Sequence, residues 1–195
     1  LDSGIRSMTI TVADPKAQEQ AAFDETVEGI LYYNKFLDKK AAFYSRSTDI
    51  SGIDKARVNN KMAVFYLTQN STHFQRNLDN VDVFFALGLR SSQITYNYQN
   101  WAGAGCKETN GSGLTVFGHE LVEKMNAVGM MIDLSHANEK TTIDTIAASS
   151  KPVIISHACC KALYDHERNV TDNNLKALAD QGGLFGVTQM RPFMT

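Results

Sequence analysis

Short apolar runs alternate with amphipathic stretches along most of the chain, and this alternation limits the fold more than any other feature. The runs "RSMTITV" (6–12), "KMAVFYLT" (61–68), "RSSQITY" (90–96), "MMIDLS" (130–135), "KPVIIS" (151–156) and "GLFGVTQ" (183–189) read as strands. Helical periodicity covers 14–45, 78–89, 115–129, 138–149 and 172–182. Asp14 is the expected N-cap of the first helix and Pro15 its first helical residue, while Gly88, Gly129 and Gly182 stop three others. A polar loop, "NYQNWAGAGCKETNGSG", occupies 97–113.

Near-continuous apolar strands separated by helices imply a parallel sheet in an α/β protein. No unit carries the GxGxxG turn of a dinucleotide fold. Polar residues gather instead at the C-terminal ends of several strands, where a TIM-type (β/α)8 barrel places its chemistry. The expectation is a single domain over 1–195, a partial barrel of about six βα units. The chain opens without an initiator Met and stops just after an apparent strand. It is therefore expected to belong to a longer polypeptide supplying the remaining strands.

The formal net charge of -2 gives no electrostatic reason to expect nucleic acid or an anionic membrane surface as partner. No apolar run approaches the roughly 18 residues of a transmembrane helix. Three cysteines, Cys106, Cys159 and Cys160, are too few for a disulfide scaffold and are expected to be free thiols.

Two strand ends carry the chemistry. "IDLSH" ends at His136 and "IISH" at His157, each histidine following a serine. Histidines delivered by successive strands of one barrel converge, and two neutral imidazoles on rigid elements suit a divalent metal. Asp133 either orients a ligand from behind or is a buried carboxylate bonded to nearby backbone. "FYLTQN" brings Gln69 to a third strand end. Arg168, in "HERN", offers a guanidinium for a substrate carboxylate. His119 is expected on a helix surface, and His73 in a solvated loop.

The order of "ITYNYQN", "GAGC", "DLSHA", "PVIISHACC", "HERN" and "GGLFGV" resembles the membrane (renal) dipeptidase family, peptidase family M19 of the amidohydrolase superfamily. The resemblance covers roughly 60–190, and the "QN" and "TYN" variants bring it nearest to a bacterial branch. It implies a (β/α)8 barrel, one or two zinc ions and hydrolysis of dipeptides by a metal-activated water. Under it His136 and His157 hold metal and Arg168 binds the substrate carboxylate. Gln69 stands where a metal-bridging glutamate is common. Tyr96 stands where a histidine contacts the tetrahedral intermediate, with Asn97 beside it as a substrate contact. Family members are often homodimeric, and exported, periplasmic and cytoplasmic locations are all compatible with it. The family's HxD motif and late aspartate are not within these 195 residues. Gln69 supports a second reading, an altered barrel that binds or matures a peptide-like ligand without dipeptidase turnover. A third is opening of a lactone or cyclic amide by the same barrel.

Overall fold

The computed structural model describes residues 4–194. Seven strands and six helices alternate in it: β1 (Ser7–Thr11), α1 (Glu19–Lys39), β2 (Tyr44–Arg46), α2 (Ser51–Val58), β3 (Met62–Thr68), α3 (Asp79–Ala86), β4 (Leu89–Gln93), α4 (Val116–Val128), β5 (Met131–Asp133), α5 (Glu139–Ala148), β6 (Ile154–Ala158), α6 (Asp172–Asp180) and β7 (Leu184–Val187). The strands form one sheet in the order β1-β3-β4-β5-β6-β7, with every pair parallel. The arrangement is a half-barrel. The short β2 pairs with the first residues of β3 (Tyr44↔Met62 to Arg46↔Val64), and β4 pairs with its last ones, up to Thr68↔Ser92.

Local chemistry sets the helix limits. Thr115 accepts from the Gly118 amide and Asn138 from the Thr141 amide, so each satisfies a donor that the first turn leaves free. Gly129 closes α4 in the left-handed region at φ 82°, which a residue with a Cβ enters only at a cost. The core lies between sheet and helices, with Tyr66, Phe84, Leu121, Met125, Ile155 and Leu178 almost fully buried.

The first helix is shorter than its periodicity predicts. Asp14 does not cap it: its Oδ1 accepts from the Lys16 amide and its carbonyl from the Ala17 amide, closing a turn before α1 begins. At the other end a turn at Lys40–Phe43 releases Tyr44–Arg46 to pair with β3. Sheet pairing outweighs helical propensity there.

His73 also departs from expectation. It is only 2% exposed, in a single 3₁₀ turn at Thr72–Phe74, with its ring 3.9 Å from that of Phe74 and 4.8 Å from that of Phe84. Burial pushes its pKa down to about 3, with a hydrogen bond to the Asn70 backbone opposing. The unfolded chain therefore takes up a proton near pH 6.5 that the folded chain refuses, so stability falls as pH drops through this window. Between pH 6.5 and 5 the loss from this one group steepens toward a limit of about 1.4 kcal/mol per pH unit. Chemical denaturation of wild type and His73→Leu over that range measures it: the stability difference should drift against the wild type as pH falls.

Candidate metal-binding site at the strand ends

β5 and β6 run side by side, with Asp133 in register with Ile154, so the residues just beyond them emerge together. His136 follows β5 and His157 lies within β6. Their Nε2 atoms are 3.0 Å apart. Gln69, just after β3, brings its Nε2 to 3.3 Å from Nε2 of His157. Tyr96, beyond β4, stacks on His136 with ring centroids 4.2 Å apart. Three strand ends that the sequence read as separate signals thus meet at one point, with Tyr96 against the His136 ring.

The far side of each imidazole is committed. His136 Nδ1 lies 2.7 Å from Oδ1 of Asn97. His157 Nδ1 lies 2.8 Å from Oγ of Ser156, whose hydroxyl donates to Asp133 Oδ2. An oxygen that spends its proton on a carboxylate accepts from its other neighbour, so His157 carries its proton on Nδ1. Asn97 Oδ1, as an acceptor, leaves His136 in the same form. Both rings then turn an Nε2 lone pair toward the same point. Burial, with Arg168, the neighbouring His157 and Lys107 adding to it, pushes His136 down to about 2. Burial also lowers His157, with Asp133 opposing and Arg168 assisting.

Asp133 anchors this arrangement and is 1% exposed. Its carboxylate accepts from the Ser135 and Ser156 amides (2.9 and 3.1 Å), from both serine hydroxyls, and from Gln93 Nε2 at 3.2 Å. Ser135 Oγ in turn accepts from the His157 amide at 3.0 Å. Asp133 is thus bonded to nearby backbone, as one sequence reading had it, and through Ser156 it also stands behind His157. Gln93 was not singled out; its signal was an amide inside an otherwise strand-like run.

Arg168 is 4% exposed and donates through Nη2 to the His157 carbonyl at 2.9 Å, while its Nε has no hydrogen-bond partner. It lines a cavity of about 120 Å³ together with His136, Cys106, Lys161 and Glu167. His166 accepts from the Arg168 amide at 3.0 Å. His119 lies on α4, exposed as expected. The three cysteines are free.

Two Nε2 lone pairs turned toward each other at 3.0 Å repel, the Gln69 amide at 3.3 Å from His157 Nε2 offsets this on one side only, and a shared cation would remove the conflict. Nitrogens sharing one tetrahedral zinc at ordinary bond lengths lie about 3.3 Å apart, close to the separation found. The donor set is sparse, because among the described residues no group of three or more His, Cys, Asp or Glu side chains is placed to hold a metal. His136 and His157 fit as two ligands of one divalent ion, and Gln69 adds a neutral amide.

The profile of the membrane dipeptidase family, peptidase family M19, matches residues 3–195. The chain belongs to that family. Dipeptidase 3 of Rattus norvegicus is 42% identical over 111 residues, covering 54% of this chain and 23% of the rat protein. Dipeptidase 3 of Homo sapiens is 31% identical over 179 residues, covering 89% of this chain and 36% of the human one. An amidohydrolase from Pseudomonas aeruginosa superposes with a TM-score of 0.92 at 37% identity, covering 97% of this chain and 57% of that one. A metallo peptidase from Rhodobacter sphaeroides, solved with a phosphinate mimic of the dipeptide L-Ala-D-Ala, superposes with a TM-score of 0.82 at 20% identity. It covers 93% of this chain and 59% of that one, and the likeness concerns the fold. The M19 relatives fold as TIM-type barrels, and the chain spans less than two thirds of the length of each relative named here. No helix among the described residues is long and apolar enough to cross a membrane.

Proposed function

We propose that the protein carrying this chain is a metal-dependent dipeptidase acting on dipeptides or related small amides, with zinc the expected ion. The observation that supports this most is the convergence of His136 and His157, Nε2 to Nε2 at 3.0 Å with both Nδ1 atoms committed elsewhere. His136, His157 and Gln69 would hold the ion. When bound, it supplies a water acidic enough to attack an amide carbonyl near neutral pH.

The chain's own residues provide orientation. Arg168 is a buried guanidinium, and among the described residues no carboxylate forms an ion pair with it. Such a charge is costly until an anion reaches it, which suits the free carboxylate of a dipeptide. Tyr96, stacked on His136, would bring its hydroxyl group to the pocket and assist the reacting carbonyl.

The protein's turnover of dipeptides, set against the same dipeptides with amidated C-termini, tests the reading together with zinc content. Loss of a charge-assisted contact costs about 1.5–3 kcal/mol, so amidation should lower kcat/KM by roughly 10- to 100-fold. Equal rates on both forms would remove Arg168 from substrate binding, and no bound metal together with no turnover would remove the dipeptidase reading.

One observation favours a second reading. Gln69 faces the lone pair of His157 with an amide N–H and brings no charge to offset a cation. On this reading the barrel binds a peptide-like ligand without hydrolysing it, and the same assay would show dipeptide binding without turnover.

A further inference from the structure

His136 and Asn97 both sit in the left-handed backbone region, at φ 70° and 63°. Five non-glycine residues among those described have positive φ, and two of the five are in side-chain contact with each other. Backbone strain of this kind persists only where its surroundings enforce it, and it gathers at functional sites.

The enforcing element is the return of the 97–113 loop. The Cys106 amide donates to the His136 carbonyl at 2.9 Å and the Lys107 amide to the Asn97 carbonyl at 2.7 Å. Just before them, Gly105 lies so close to the Asn97 backbone that a Cβ there would collide with its carbonyl. The side chain of Asn97 is held as well. The Cys106 thiol, 3.5 Å from Oδ1, donates to it. The atom that accepts from the thiol is the one 2.7 Å from His136 Nδ1, so it accepts there too.

We propose that Asn97 is a positioning residue, whose side-chain oxygen fixes the Nδ1–H form and the ring orientation of His136 and so turns Nε2 into a metal donor. The metal part of this rests on the dipeptidase reading above; the ring form does not. The sequence suggested a substrate contact for Asn97, whereas its oxygen is already shared between His136 and Cys106. The two histidines are thus set by different devices: His157 through Ser156 to a carboxylate, His136 through a neutral amide. Outer partners of this type commonly account for 10- to 100-fold in metal affinity.

The test uses the full chain as wild type, Asn97→Asp and Asn97→Gly. Aspartate keeps the acceptor, and glycine keeps the left-handed backbone while removing it. Nitrogen-15 NMR of the metal-free proteins reads which ring nitrogen of His136 bears the proton, and Co²⁺ titration against a competing chelator reads affinity. Wild type and Asn97→Asp should show Nδ1–H at His136, and Asn97→Gly a mixture of ring forms. Cobalt affinity should fall about 10- to 100-fold in Asn97→Gly and stay within a few-fold in Asn97→Asp. A wild-type Nε2–H form, a ring form unchanged in Asn97→Gly, or equal affinity losses in both variants would each overturn the proposal. If the wild type has the expected ring form, Asn97→Gly loses it and no variant binds cobalt, the metal reading fails while the positioning role stands.

Discussion

Asp133→Ala should destabilise the protein by on the order of 3–5 kcal/mol, the range for removing the acceptor at the centre of a buried charged network. Five donors converge on that carboxylate: two backbone amides, two serine hydroxyls and the Gln93 side-chain amide. Without it they lie buried with no acceptor, and alanine leaves a void as well. Asp133→Asn separates charge from shape. It fills the same space but adds an N–H₂ where donors already point, so it should recover little of the loss. Urea denaturation of the three proteins measures this, and a loss below about 1 kcal/mol for alanine would mean that the network is relieved by water. The effect reaches the site because Ser156, which holds the Nδ1 of His157, is itself held by Asp133.

His157→Ala should reduce metal affinity by more than the roughly 100-fold that outer-sphere partners account for, since it removes a donor and not its support. Gln69→Glu should act in the opposite direction. A carboxylate at that position, 3.3 Å from His157 Nε2 in the amide form, would place a negative charge beside a cation held by His157 and offer it two oxygens. Metal stoichiometry and a chelator-competition titration read both variants. Unchanged metal content in His157→Ala would move the site elsewhere. An unchanged or weakened affinity in Gln69→Glu would mean that the ion lies out of reach of residue 69.

The parts of the fold legible in the sequence were those dictated by short-range physics. Helix α4 ends at its glycine, as the sequence indicates, because capping needs only neighbouring residues. The two Ser-His strand ends were legible for a related reason: parallel pairing brings consecutive strand termini together whatever the details of the barrel. The three-residue β2 was not legible, because only the edge of β3 makes it a strand. His73 was misread since its surroundings include Phe84, eleven residues away. The roles of Ser156, Gln93 and Asn97 depend on which atom of a neighbouring strand or loop meets each side chain, and no periodicity encodes that. Asn97 did leave a faint trace, asparagine being among the few residues that tolerate the left-handed region, but the sequence does not say which asparagine uses it.

The 97–113 loop has seventeen residues without a helix or strand, a length at which chains are often mobile. Here it is pinned by buried and part-buried polar contacts. Asn100 donates to Asn70 Oδ1 and to the Ile94 carbonyl, both at 2.8 Å, and accepts from the Ala102 and Gly103 amides. Thr141 of α5 accepts from the Ala104 amide and donates to the Ala104 carbonyl. The entropy of ordering this segment is therefore lost on folding and not on ligand capture. A ligand arriving at His136 meets a wall already in place, and its contact energy is not drawn down by closing a lid.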